Sequence, residues 1–132
     1  MIRDWAYAFE ILPQMAAASL VTLQVTVFGF ALAAVLGLVW AVVSLLEIPV
    51  VSFMVRLLIE FIRTTPLLIQ LFAMYYFLPL VGIFLPAMLC GVLALGIHYS
   101  AYCAEVYRSG FSQVDRGQWE AAKVINLSTG LT

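Results

Sequence analysis

The sequence predicts an all-α integral membrane protein: three transmembrane helices followed by one short, water-compatible helix. The first observation is composition. Of the 132 residues, 65% are hydrophobic and 10% charged, against about 25% charged in an ordinary soluble domain. The second is where the charges stand. None occurs between Ile11 and Leu46, and none between Thr64 and Ala104, whereas a spanning helix needs about 20 consecutive apolar residues. The third is the stretch at 116–128, where Arg116, Glu120 and Lys123 crowd together after that uncharged region.

Span one is expected over about 20–44. Thr22, Thr26, Gly29, Ala33 and Gly37 recur in it at steps of three or four, a stripe of small residues along which a second helix can approach closely. The apolar run is longer than the roughly 7–15 residues of a signal-peptide core, so the span itself is expected to drive insertion. The segment from Pro49 to Leu80 exceeds one simple span. Residues 49–63 read as an interfacial or bundle-buried approach, and the second span is placed at about 57–80, its apolar part following Pro66. Glu60 lies four residues after Arg56 and three before Arg63, within reach of either on one helical face. Pro66 lacks a backbone donor and disfavours helical geometry at Thr65, so a break is expected there. The stretch from Pro79 to Pro86 divides span two from span three, which is expected over about 85–106. Residues 107–132 follow as a polar loop containing a helix.

Lysine and arginine give the orientation. Arg56 and Arg63 lie between the first two spans, and Arg108, Arg116 and Lys123 follow the third. The positive-inside rule puts both regions in the cytoplasm and the N-terminus outside.

Few chemistries fit. The sole lysine, Lys123, follows no glycine-rich turn, so a P-loop ATPase is excluded. One histidine without convergent carboxylates offers neither a metal centre nor a catalytic triad, and no enzyme is expected. Cys90 and Cys103 are about 20 Å apart on one helix, beyond disulfide reach, and read as small buried hydrophobes. A net charge of −1 without a basic cluster gives nucleic acid no footing. The polar residues inside the membrane are more informative, because such groups are costly there and usually face a bundle interior or a watery path. His98, Tyr102 and Glu105 share one face of span three, and Gln70 lies one turn beyond Pro66. Two readings stand for them: contacts for a solute along a translocation path, or hydrogen bonds between helices. Arg116-Gly117 reads as a turn, and the helix after it has apolar groups on both sides, as in a helix lodged against protein.

Four stretches together carry a resemblance. "GQWEAAKVINLS" at 117–128 resembles the EAA loop of bacterial ABC importer permeases, the cytoplasmic helix that docks into a cleft on the ATPase subunit. "EFIRTTPLLIQLF" at 60–72, "AYCAEVYRSG" at 101–110 and their order resemble the polar amino acid uptake branch (His/Glu/Gln/Arg/opine), with the ectoine and hydroxyectoine permeases closest. Thr64 stands where that pattern often has Gly, and Asp115 where it has Pro. The resemblance implies part of a MetI-like type I ABC importer permease fold. It assigns ATPase coupling to Gly117, Glu120, Ala121, Ala122 and Asn126, while Glu60, Arg63 and Pro66 keep the structural role that their spacing and chemistry suggest. It implies an ABC ATPase that binds the ATP, so that this chain itself holds no cofactor. It further implies a second permease subunit, identical or paralogous, and an extracytoplasmic solute-binding protein, in a bacterial inner membrane. Such permeases have five core helices with the loop between the third and fourth, so a C-terminally truncated subunit is expected. An alternative is a membrane fragment that binds the ATPase or a partner permease without transporting, as an interaction or regulatory protein.

Overall fold

Small side chains decide how the helices of this protein meet. The computed structural model describes residues 5–46 and 48–125, and all of its regular structure among them is helical. In order these are α1 (Trp5–Leu45), α2 (Pro49–Thr64), α3 (Leu67–Phe72), a π-helical turn (Ala73–Phe77), a 3-10 turn (Leu78–Val81), α4 (Ala87–Ser112) and α5 (Arg116–Val124).

α1 and α4 form the main seam, and they run parallel. Gly91 faces Val25, Gly96 faces Leu32, and Gly37 faces Ser100, Cys103 and Ala104, so the numbers rise together along both helices. Ala33, Ala41, Ala94, Ala101 and Ala104 are fully or almost fully buried. In lipid, apolar burial alone gives no preference for another helix over a lipid tail, and close backbone approach supplies the packing energy. Trp40 Nε1 donates to Ser100 Oγ at 3.3 Å across the seam, and Ser100 Oγ in turn donates to Ile97 O at 2.7 Å. Of the expected stripe, Gly29, Ala33 and Gly37 are buried. Thr22 and Thr26 are exposed, with their hydroxyls bonded back to Ala18 O and Thr22 O of their own helix.

Two parallel helices require the chain between them to travel back. α2 covers part of that route with one buried face, Ser52, Val55, Ile59 and Ile62, packed near Ala101 and Ala104. Pro49 begins it, where a missing N–H costs nothing, and Ser52 Oγ donates to Leu46 O at 2.6 Å to fix the preceding turn. The helix ends at Thr65, held extended (φ −84°, ψ 122°) ahead of Pro66. There the axis turns by 96° into Leu67–Val81. The segment at 57–80 is thus two limbs of a corner, since Pro66 cannot continue α2. Gly82, at φ +86°, closes the second limb in the left-handed region that glycine tolerates.

Helix bounds differ from the sequence expectation at three further places. α1 begins at Trp5 and carries Pro13 within it. At 1.5 Å per residue its 41 residues reach about 60 Å, well beyond a hydrocarbon core of about 30 Å. α4 continues to Ser112, past the expected boundary at 106–107, with Glu105 and Arg108 paired on its surface. Arg116 and Gly117 belong to the first turn of α5, because Asp115 O accepts from Gln118 N at 2.9 Å.

Candidate functional site

The corner at Pro66 brings the polar membrane residues of two segments together. Gln70 sits on α3 one turn past the proline, and its amide Nε2 lies 3.1 Å from His98 Nδ1 on α4. The same nitrogen donates to Ile62 O at 3.0 Å and Thr65 O at 3.2 Å. Its Oε1 is buried and has no partner. His98 is buried; its ring centroid is 5.4 Å from that of Tyr102 and 5.3 Å from that of Tyr99. Arg63, in the last turn of α2, places its guanidinium 5.3 Å from the Tyr102 ring centroid, a cation over an aromatic face. The result is a chain of contacts, Arg63 to Tyr102 to His98 to Gln70, joining α2, α4 and α3.

Beside it opens an apolar groove of about 530 Å³, lined by Phe61, Ile62, Gln70, Met74, Phe77 and Ile97 among others. The π-helical turn forms one wall. Wider π geometry leaves backbone groups out of regular register and recurs at functional sites.

Two residues singled out in the sequence stand outside this chain of contacts. Glu60 pairs with neither Arg56 nor Arg63 among the described residues. Arg56 Nε donates to Ser52 O at 3.2 Å, Arg63 turns to Tyr102, and Glu60 is exposed. Helical spacing put these groups within reach of one another, but the two cations are engaged by a backbone carbonyl and an aromatic face instead. Glu105 is on the expected face of α4 yet stands apart from the contact chain, taking a 2.6 Å hydrogen bond from Arg108 instead. Pro66 occupies the corner as expected. The role of Gln70 as a bridge over the break was not foreseen. Its signal was present: Pro66 leaves a carbonyl one turn earlier without its donor, and Gln70 is the next amide along.

α5 makes no packing contact with the other helices among the described residues. Gly117, Glu120 and Ala121 are exposed, and so are Val124 (84%) and Ile125 (70%). The helix backbone includes Ala122, and Asn126 lies outside the described residues. A helix that leaves α4 through a tight turn and presents apolar side chains to solvent has an unmet surface.

Residues 33–132 match the family described as the binding-protein-dependent transport system inner membrane component. The chain belongs to that family. Among relatives of this transport component, a probable amino-acid ABC transporter permease protein of Sinorhizobium fredii (y4tG) is 50% identical over 129 residues, covering 98% of this chain and 56% of that one. A probable glutamine ABC transporter permease protein of Bacillus subtilis (GlnP) is 37% identical over 123 residues, 93% of this chain and 56% of its own. The crystal structure of an amino acid ABC transporter with histidines superposes at a TM-score of 0.87 with 34% identity, over 99% of this chain and 61% of that chain. The chain therefore spans rather more than half the length of the transport components it matches. The similarity agrees with the MetI-like permease fold and the amino acid uptake branch read from the sequence. A family of membrane transport components also agrees with the expectation that the chain is not an enzyme.

Proposed function

We propose that the chain belongs to the transmembrane subunit of an ATP-driven importer for a polar amino acid or compatible solute, with ectoine or hydroxyectoine favoured by the sequence resemblance. The observation that carries this reading is the continuity of α4. One helix holds the polar membrane face of His98, Tyr102 and Glu105 and leads through a single turn into the exposed helix α5. A push on α5 then reaches the polar face through the turn at 113–115 and the length of α4. Gly117, Glu120, Ala121, Ala122 and Asn126 form the coupling surface for an ABC ATPase, which binds the ATP in place of this chain. Small side chains allow close seating, and the Glu120 carboxylate can meet a basic group or a helix N-terminus on that partner. A second permease subunit completes the path, and an extracytoplasmic binding protein delivers the solute. The N-terminus faces outward and α5 the cytoplasm of a bacterial inner membrane, following the lysine and arginine distribution.

The solute class follows from shared chemistry. The relatives are named for amino acids, glutamine and L-cystine, and ectoine, like these, is a small zwitterion. Tyr102 and Glu105 are accessible enough to meet it, Glu105 through the cationic nitrogen. His98 and Gln70 continue from Tyr102 along the contact chain. Glu105→Gln is the informative variant. The exposed Glu105–Arg108 pair contributes only about 0.3–0.5 kcal/mol, so thermal stability should stay at the parental value. Uptake of labelled glutamine and of labelled ectoine by cells holding the complete transporter should fall at least about tenfold, as loss of a charged contact implies. Parental uptake of both by the variant would remove Glu105 from the path. Failure of excess ectoine to compete with whichever solute is imported would remove ectoine.

A further inference from the structure

We infer that Gln70 is a positioning residue that locks the α2–α3 corner to α4 as one rigid unit and sets His98 in its Nε2–H tautomer. The starting point is backbone accounting. In a continuing helix the Ile62 carbonyl would accept from the N–H of residue 66, and proline has none. The Thr65 carbonyl would accept from Ile69 N, which instead donates to Pro66 O at 3.0 Å. Both carbonyls are therefore orphaned at the break. Within a membrane each unsatisfied backbone group costs several kcal/mol. One N–H of the Gln70 amide is shared between the two carbonyls, at 3.0 and 3.2 Å, which leaves its second N–H for a further acceptor.

That repair fixes which end of the amide points where. Turning the amide over would put Oε1 against two carbonyl oxygens, acceptor against acceptor, so Nε2 must stay on their side. The third neighbour of Nε2 is His98 Nδ1 at 3.1 Å. An amide nitrogen can only donate, so Nδ1 must carry a lone pair and the ring hydrogen of the neutral imidazole resides on Nε2. The buried Oε1 without a partner is the consequence of this orientation: three acceptors claim the nitrogen and none of the local groups donates to the oxygen. Thr65 adds to the lock, since its N–H and Oγ1 both donate to Phe61 O, at 3.1 and 2.7 Å. A proline break with a 96° turn resembles a hinge, but the Phe61, Ile62 and Thr65 carbonyls at this one are all bonded. The inference holds whatever solute is carried.

The chain has a single histidine, so its two ring nitrogens can be read directly. In the full chain labelled with 15N-histidine and held in lipid nanodiscs, wild type should show one tautomer, protonated at Nε2 and unprotonated at Nδ1. Gln70→Glu replaces the donor with an acceptor and should move a proton onto Nδ1. Gln70→Leu should lose the single tautomer and give a mixture. A role in folding alone would not reverse the pattern between these variants. Wild type protonated at Nδ1, or Gln70→Glu with the parental pattern, overturns the assignment; the wild-type spectrum decides even where a variant does not fold. Rigidity is read separately, by spin labels at Leu57→Cys and Leu68→Cys, both exposed positions, with Cys90 and Cys103 replaced by alanine. In the transporter assembled with its ATPase, the distance should be the same with and without ATP. A shift between the two states would make the corner a hinge and overturn that part.

Discussion

Gly37→Leu is expected to abolish recovery of folded protein. A Cβ built at Gly37 lies 2.5 Å from Cys103 Cβ, 2.9 Å from Ser100 O and 3.1 Å from Ala104 N. Two of these atoms are backbone and the third is a Cβ, so none can swing aside as the tip of a side chain can. Even alanine must part α1 from α4, at a cost of about 1–3 kcal/mol for overpacking, and leucine adds three carbons to the same space. Separation also stretches the 3.3 Å Trp40–Ser100 hydrogen bond. Gly96→Ala should be milder, because Cδ2 and Cγ of Leu32, the atoms at 2.5 and 2.8 Å, can rotate away and leave only its Cβ at 3.0 Å to shift. Gly91→Ala, with its nearest neighbour at 3.5 Å, should be neutral. Thermal midpoints in detergent should rank alanine at 37 below 96 below 91. A monodisperse Gly37→Leu protein with the parental midpoint would show that the seam is not closed as described.

The second large effect is expected at α5. Glu120→Lys should weaken association with the ATPase by about thirtyfold or more, since breaking a desolvated charged contact at an interface costs about 2–5 kcal/mol. The chain itself should be unharmed, because Glu120 is exposed and has no ion pair among the described residues. Gly117→Ala makes a useful companion. An added Cβ there meets nothing within 4 Å among the described residues, so a loss of ATPase capture or ATP-driven uptake reports on the partner surface. Parental capture by Glu120→Lys would place the docking surface elsewhere.

Much of the architecture was legible because it rests on local chemistry. The uncharged runs gave the lipid-compatible segments, Pro66 gave the break, and the spacing of Gly29, Ala33 and Gly37 gave the seam. Spacing could not say that Thr22 and Thr26 would face away, because a small residue is equally small toward lipid or protein, and both hydroxyls find a carbonyl in their own helix. Nor could it choose partners for Arg56, Glu60 and Arg63. Proximity on a helix is a matter of geometry, but the preference of Arg63 for Tyr102 depends on a ring that arrives from α4. The Gln70–His98 contact joins residues far apart in sequence, and only the direction of the corner creates it. Gly96, Ser100 and Ala104, one helical turn apart along α4, complete the seam from the other side, a second small stripe that was not among the sequence expectations.

In the proposed function, α5 is the surface through which an ATPase moves this bundle. Disulfide cross-linking tests it most directly. Val124→Cys, at a position 84% exposed, is introduced with Cys90 and Cys103 replaced by alanine, and paired with cysteines scanned along the cleft of the ATPase. A cross-link to the ATPase in membranes is expected, together with labelling of Val124→Cys by an impermeant thiol reagent only when the cytoplasmic face is open. Labelling from the outer face of intact cells, or no cross-link in any nucleotide state, would contradict it.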